Sequence, residues 1–557
     1  MNRKSSHHTK MKNKKTLSIL PKRFGLCVVI ASLYCCSSLS WAGNSPKNIL
    51  VILSDDQGFC ELGSYMDFAS ATNLGSHLAP KYQAIKACTD KEAPIEVCFE
   101  AARKCMPHLD SLVKQGVRFT DFHAAPTCSP SRAALMTARY PQSFGVYAND
   151  DVIEGGAEGL PPEVKFPVKL FKDAGFMTGL VGKWHLGSQK PGQNPNDRGF
   201  DYFFGFDRAD TEKYNSKILY RNREKTPAVG WLADQISDEA VAFVNRAAKE
   251  HHPFFLYVAY NEPHGPTPRP PQKYIDHFKS GSDTVDVHFA TIYGMDQGIG
   301  HIIEELKKNG QFEDTLILYG SDNGLGQSEY HRGFRAGGQG YSAPVPGNGP
   351  LRGCKWTPWE GGVRVPFIAC LPNGAAKTSS ALLSILDVMP TALDYARIKV
   401  PPAYQLDGRS FLPILQGTSN GDEQRMLFWA CDARSPYPDS YSDWRPEFDR
   451  LAETQGRKGS LETARKERYP PGWYVLTPKW KLIGWDNIAP GLIDRASDPY
   501  EHHDVSAQYP EVVAQLRREF DKWILAQKPP QNYSRTQWEK LLPNAAKTKG
   551  DSRAVDN

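Results

Sequence analysis

Five apolar runs along the chain have the length and composition of buried strands, and each hands over to a polar cluster at its end. Asn48 to Leu53 runs into Ser-Asp-Asp-Gln, and Val117 to Phe122 leads towards Cys128. Phe176 to Val181 precedes Gly-Lys-Trp-His, Phe254 to Tyr260 precedes Asn-Glu-Pro-His, and Thr315 to Tyr319 precedes Gly-Ser-Asp-Asn-Gly. Helical periodicity lies between several of them, as in Met106 to Gln115 and Asp286 to Asn309. The second of these closes on Lys307, Lys308 and Gly310, a stop signal. Such alternation predicts an α/β fold with a large, mixed but mostly parallel sheet sandwiched by helices. Ligands of such sheets bind beyond the carboxyl ends of the strands, which is where all five polar clusters fall.

The pattern weakens after residue 425. The stretch from Ser435 to Trp473 is rich in Pro, Tyr, Arg, Asp and Trp and reads as a long loop. Short strand-like runs follow at Trp473 to Leu476 and Trp480 to Gly484, then a helix from Glu511 to Ala526. These predict a smaller C-terminal α+β domain over 426–527, packed on a catalytic domain over 43–425, with a polar tail over 528–557.

Composition changes the picture mainly at the start. The chain has 557 residues, 40% of them hydrophobic, and a net charge of +5. Much of that charge sits in the leader (Arg3, Lys4, Lys10, Lys12, Lys14, Lys15, Lys22, Arg23), so no basic stripe remains for nucleic acid. The apolar run from Phe24 to Trp41 ends Ser40-Trp41-Ala42. Basic leader, apolar core and small-x-small ending read as a signal peptide over 1–42, the core being short for a membrane span. The mature protein is expected to be periplasmic or secreted, with no stable span after cleavage. The single glycosylation sequon, Asn532-Tyr533-Ser534, favours a bacterial over a lysosomal setting.

Eleven cysteines are present. Cys60, Cys88, Cys98 and Cys105 crowd into one segment, where an exported chain is expected to form one or two disulfides. Cys354, Cys370 and Cys431 stand apart and read as free, buried thiols.

Asp55, Asp56, Asp322 and Asn323 offer hard oxygen ligands from two strand ends. Any one pair after a strand is ordinarily a turn or cap. Together, carboxylates about 4 Å apart repel by roughly 4 kcal/mol per pair at an effective dielectric near 20, a problem that a calcium or magnesium ion removes. Lys183, His185, His264 and Lys355 are the cationic counterpart, a clamp for a sulfate or phosphate group. Cys128 opens a helix beside Pro130 and Arg132, where backbone N–H groups favour an anion.

These motifs resemble those of the type I, formylglycine-dependent sulfatases of the alkaline phosphatase superfamily, over roughly residues 46 to 525. Cys-Ser-Pro-Ser-Arg at 128–132 matches the maturation motif, and Gly-Lys-Trp-His-Leu-Gly at 182–187 the second signature. Asp55 to Gly58, Pro263-His264, Ser321 to Gly324, Leu351 to Lys355 and Glu360 to Gly362 match further motifs. Asp498-Pro499-Tyr500-Glu501 resembles the C-terminal element.

The resemblance implies an alkaline phosphatase-like fold and a sulfuric ester hydrolase whose Cys128 is oxidised to formylglycine by a formylglycine-generating enzyme. It implies that Asp55, Asp56, Asp322 and Asn323 hold calcium together with the modified Cys128. Arg132 orients the hydrated aldehyde that attacks sulfur. Lys183, His264 and Lys355 bind sulfate oxygens, His264 protonates the leaving alcohol, and His185 assists release of sulfate. The substrate expected is a sulfated small molecule or, in preference, a sulfated carbohydrate. Rivals are a phosphodiesterase or phosphonate monoester hydrolase of the same superfamily, and a non-catalytic glycan-binding protein. Three departures from the family pattern stand out: Ala138 where glycine is usual, Phe176 where Tyr or Val is common, and a long cysteine-rich insertion over 60–105. The insertion and the loop near 435–475 are candidate substrate contacts, because aromatic and guanidinium faces suit sulfated sugars.

Overall fold

The computed structural model describes residues 48–69, 94–149, 159–188, 190–209, 211–265, 268–326, 347–372, 374–431, 472–485 and 488–529. The signal segment 1–42, Cys88, the long loop, the sequon and nearly all of the tail lie outside these residues.

Strands β1 (Asn48–Asp55), β2 (Val117–Phe119), β4 (Met177–Lys183), β5 (Tyr202–Phe206), β6 (Leu219–Arg221), β7 (Glu224–Thr226), β8 (Phe254–Pro263), β9 (Thr315–Ser321), β10 (Phe367–Cys370) and β11 (Lys377–Ser379) form one sheet. Its order is β11-β2-β10-β9-β1-β8-β4-β5-β6-β7. The central block from β9 to β5 is wholly parallel, and β10, β6 and β7 enter antiparallel.

β1 and β8 are buried along their whole length, because helices cover both faces of the sheet. Side-chain alternation divides β1 between two cores. Ile49, Val51 and Leu53 join the cluster of the helix Cys128–Thr137 (Ala133, Leu135, Met136). Leu50 and Ile52 join that of the helices Leu232–Glu250 and Asp283–Lys308 (Ile236, Phe243, Ile292, Ile299). Truncating Ile52 to alanine in such a core costs about 2–5 kcal/mol.

The run Val117–Phe122 breaks where one strand was expected. After β2 the chain leaves the large sheet, and Phe122–His123 (β3) pairs with Leu383–Ser384 (β12). Asp121 sits at the break, where its carbonyl accepts from Leu383 N. Phe122 stacks on Phe367 with ring centroids 3.8 Å apart, so the displaced strand still seals the core.

The C-terminal sheet is antiparallel, β13 (Leu427–Cys431), β14 (Gly472–Leu476), β15 (Trp480–Trp485) and β16 (Ile488–Asp494), with the helix Pro510–Ala526 packed on it through Leu516, Phe520 and Ile524. Among the described residues no helix is long and apolar enough to cross a membrane.

One expectation is corrected. Cys60 and Cys105 are free, buried thiols rather than disulfide partners. Cys105 Sγ lies 3.1 Å from Ala102 O and Cys60 Sγ 3.8 Å from Tyr65 O, each facing backbone of its own neighbourhood. The described parts of the insertion form a short turn of helix, Gly63–Phe68, and the helix Ile95–Lys104, both feeding the core.

Ala138 shows why glycine is usual at its position. It ends the helix Cys128–Thr137 in the left-handed region, φ 52°, and its N–H donates to Ala134 O at 2.8 Å.

Candidate active site

The carboxyl ends of β1, β4, β8 and β9 deliver Asp55, Lys183, His264 and Asp322 to one edge of the sheet, and the helix Cys128–Thr137 begins over them. One ligand atom each from Asp55, Asp56, Cys128 and His264 lies within 4.8 Å of the others. Cys128 Sγ is 3.5 Å from Asp55 Oδ1 and 3.8 Å from Asp56 Oδ1.

Each carboxylate meets a cation. Lys183 Nζ donates to Asp55 Oδ2 at 2.7 Å, and Lys355 Nζ to Asp56 Oδ2 at 2.7 Å. Arg132 grips Asp322 Oδ2 through Nε at 3.0 Å and Nη2 at 2.7 Å. Asn323 Nδ2 donates to Asp56 Oδ1 at 2.7 Å, and Asp56 N to Asp322 Oδ1 at 3.1 Å, so the two strand-end motifs interlock. Asp56 pays for that position with a left-handed backbone, φ 64°. His264 Nε2 approaches Asp56 Oδ2 at 3.6 Å and Lys355 Nζ at 3.4 Å.

Burial would raise the Asp55 carboxyl, but Lys183, His264, Arg132 and Lys355 outweigh it and hold the group well below the usual carboxylate range. Asp322 goes the other way, to about 6, from burial and the neighbouring Asp55 charge. Burial and the adjacent Asp322 push the Cys128 thiol well up, which leaves it protonated and a poor nucleophile as it stands. His185, buried beside Lys183 and Arg132, is pushed well below the ordinary histidine range, so its ring is neutral. Neither ring nitrogen of His185 has a hydrogen-bond partner, nor does the buried Oδ1 of Asn323.

All ten residues singled out from the sequence therefore fall in this neighbourhood, His185 through its carbonyl, which accepts from Ser129 Oγ at 3.0 Å. Three further groups support the site: Ser321 belongs to the motif 321–324, and Asn149 and Tyr257 carried no local signal. Asn149 Oδ1 accepts from Ser129 N at 2.9 Å, steadying the residue after Cys128. The Tyr257 hydroxyl meets Arg132 Nη1 at 3.3 Å, and Ser321 Oγ accepts from Gln57 N at 3.0 Å. Tyr257 lies in the middle of β8, where an apolar run gives no hint of a polar duty.

Asp55, Asp56 and Asp322 offer carboxylate oxygens and Asn323 Oδ1 a buried amide oxygen without a hydrogen-bond partner, with Cys128 Sγ and a His264 nitrogen beside them. The oxygens fit calcium or magnesium rather than a thiophilic ion.

The chain is similar to known proteins in sequence and in fold. The family model described as Sulfatase covers residues 47–398. The Escherichia coli K12 sulfatase YdeN is 34% identical over 527 residues, covering 88% of this chain and 87% of that protein. Human arylsulfatase G is 29% identical over 472 residues, 78% of this chain and 77% of the relative. The crystal structure of Ps i-CgsB in complex with k-i-k-neocarrahexaose superposes with a TM-score of 0.67 at 27% identity, over 91% of this chain and 99% of the other. With a family model spanning more than half the chain and a relative above 30% identity, this protein belongs to the sulfatase family and is a sulfuric ester hydrolase of alkaline phosphatase-like fold.

Proposed function

We propose that this protein is an exported sulfatase acting on a sulfated carbohydrate, with Cys128 as the precursor of its nucleophile. The observation that carries the reading is the buried Cys128 side chain at the start of its helix, its Sγ 3.5 Å from Asp55 Oδ1 and 3.8 Å from Asp56 Oδ1 and within 4.8 Å of a His264 ring nitrogen. Conversion to formylglycine supplies there a hydrated aldehyde, whose second hydroxyl allows easy release of sulfate. Asp55, Asp56, Asp322 and Asn323 would hold a calcium or magnesium ion, which supplies positive charge against the ester's oxygens.

The chain's own groups do the rest. Lys183 Nζ, held on Asp55, and Lys355 Nζ, held on Asp56, bind sulfate oxygens, and the guanidinium of Arg132 orients the residue at 128. His264 Nε2, beside Lys355 Nζ, delivers a proton to the leaving alcohol. The neutral ring of His185 accepts a proton as sulfate departs. Support for a carbohydrate comes from Ps i-CgsB, whose structure holds an oligosaccharide. Support for export comes from the basic and apolar leader.

The test is sulfate release from a panel of sulfated oligosaccharides and a small aryl sulfate by protein co-expressed with a formylglycine-generating enzyme. Release from one glycan class, lost by about 10³-fold or more in Cys128→Ala, is the expected result. Aldehyde-bearing protein that cleaves only phosphate or phosphonate esters, or binds glycans without turnover, would sink the reading.

A further inference from the structure

A second buried cluster, Asp121, His123 and Glu360, also brings three ligand-type atoms within 4.8 Å of one another. Its carboxylates already have cations. Lys481 Nζ lies 2.7 Å from both Glu360 Oε1 and Glu501 Oε1, and Arg495 Nη2 is bound to Asp121. Arg364 Nη1 stands 3.6 Å from Glu360 Oε2, and His123 Nε2 contacts both Glu360 oxygens at 3.2 Å. With Lys481, Arg364 and Arg495 seated on these carboxylates, the cluster joins the C-terminal sheet to the loop 351–363 as an ion-pair strut. Buried ion pairs seldom stabilise a fold more than apolar packing would, which directs attention to what this one positions.

The strut ends on the loop 351–363. Glu501 Oε2 accepts from Glu360 N at 2.7 Å, and Glu501 O from Arg352 Nη1 at 2.6 Å. The Arg352 guanidinium lies 3.6 Å over the Trp359 ring, and Arg352 O accepts from Gly361 N at 2.6 Å. The opposite side of the same loop rests on the active site. Lys355 N donates to Leu325 O at 3.2 Å and Trp356 N to Pro126 O at 2.8 Å, two residues before Cys128. Gly362 O accepts from Gly324 N at 3.0 Å, next to Asn323. A Cβ on Gly324 would meet Gly361 O at 1.8 Å, so the approach tolerates no side chain there. Lys355 thus projects from a loop clamped between the strand-end motifs and Glu501. Glu501 itself keeps a left-handed backbone, φ 61°, which costs a non-glycine residue roughly 1–2 kcal/mol. Glycine would adopt it freely, but has no carboxylate.

We propose that Glu501, from the C-terminal part of the chain, is a positioning residue for sulfate binding: it fixes the loop 351–363 and so holds Lys355 Nζ at the sulfate. The inference rests on the role given to Lys355 above. Glu501→Gly removes the carboxylate, keeps the carbonyl for Arg352 and relaxes the backbone. Glu501→Gln retains an acceptor for Glu360 N.

The experiment measures inorganic sulfate affinity by calorimetry on full-length, calcium-loaded protein. It compares wild type, both Glu501 variants, Lys355→Ala and the Glu501→Gly/Lys355→Ala pair, with Tm recorded for each. Expected are a loss of about tenfold in Glu501→Gly, a smaller one in Glu501→Gln, and less than about twofold further loss when Glu501→Gly is added to Lys355→Ala. A lowered Tm with unchanged sulfate affinity, or losses that simply multiply in the double variant, would overturn the proposal. If Lys355→Ala alone binds sulfate like wild type, the assignment of Lys355 fails first and this inference falls with it. That single variant separates the two failures.

Discussion

Two buried clusters in this molecule hold the same charges to different ends. At the strand ends, Asp55, Asp56 and Asp322 face Lys183, Lys355 and Arg132. At the junction with the C-terminal sheet, Asp121, Glu360 and Glu501 face Arg495, Lys481 and Arg364. Charge balance does not tell them apart, and spare hydrogen-bonding capacity does. At the first, both ring nitrogens of His185 and Oδ1 of Asn323 are buried without a partner. A buried polar atom left unpaired costs about 1–3 kcal/mol, which a fold carries where an ion or substrate completes the set. At the second, each carboxylate meets a cation, and backbone N–H groups are drawn in as well. There His123 bonds Glu360 through one ring nitrogen and leaves the other without a hydrogen bond. The difference is one of degree: the atoms left over at the second cluster, His123 Nδ1 and Glu501 Oε1, lie 3.9 Å from Asp121 Oδ1 and 2.7 Å from Lys481 Nζ.

The sharpest way to break the comparison is metal removal. Chelation of the matured enzyme is expected to abolish sulfate release, with recovery on adding calcium or magnesium; activity that survives exhaustive chelation would show that the strand-end carboxylates need no ion. Next in size is a pair of histidines. His185→Ala is expected to lower kcat by about 10²–10⁴-fold with little change in Tm, whereas His123→Ala lowers Tm and leaves kcat near wild type. Equal behaviour of the two in both assays would erase the distinction.

Glu360→Gln should cost about 1.5–3 kcal/mol of stability at neutral pH, because Lys481 and His123 lose a charged hydrogen-bond partner while Lys481 retains Glu501. Burial opposes ionisation of Glu360, but Lys481 and His123 outweigh it and hold the carboxyl well below its ordinary range. A depressed folded-state pKa contributes stability above the unfolded value, about 4.3, and loses it as pH falls through the folded value. The gap between wild type and Glu360→Gln in denaturant melts is therefore expected to be widest near pH 7 and to shrink below about pH 4. A gap constant across that range would remove the ion pair as its cause. Smallest is Ala138→Gly, expected to raise stability by about 1 kcal/mol through the left-handed helix end, with sulfate release unchanged.

Much of the site was legible because each motif is a short contiguous peptide at a strand end. Parallel topology forces those ends to one edge, so Asp55, Lys183, His264 and Asp322 could be grouped before any contact was known. The boundaries of β1 and β9 moved only outward, by two residues, into the polar clusters themselves. The misses have a common cause. Asn149 and Tyr257 act through single contacts across the fold and carry no local signature. The disulfides expected among Cys60, Cys88, Cys98 and Cys105 do not involve Cys60 or Cys105, because closeness in sequence does not aim thiols at one another. The break at Asp121 escaped because Phe122 resumes the apolar pattern after the polar pair Thr120-Asp121, while the hydrogen-bond partner changes from one sheet to another.

The sequence by itself determined the chemistry on offer: three carboxylates, an amide, two lysines, two histidines, an arginine and a cysteine, most of them placed where strands end. Periodicity and turn residues act over a few positions, and that range is enough to specify strand, helix and motif. Only the tertiary structure decided which cation meets which carboxylate, and that Glu501, 146 residues beyond Lys355 in the chain, braces the loop carrying that lysine. Electrostatic and hydrogen-bonding energies depend on distances of a few ångströms between segments far apart in the chain, and those distances exist only once the sheet and its covering layers have packed.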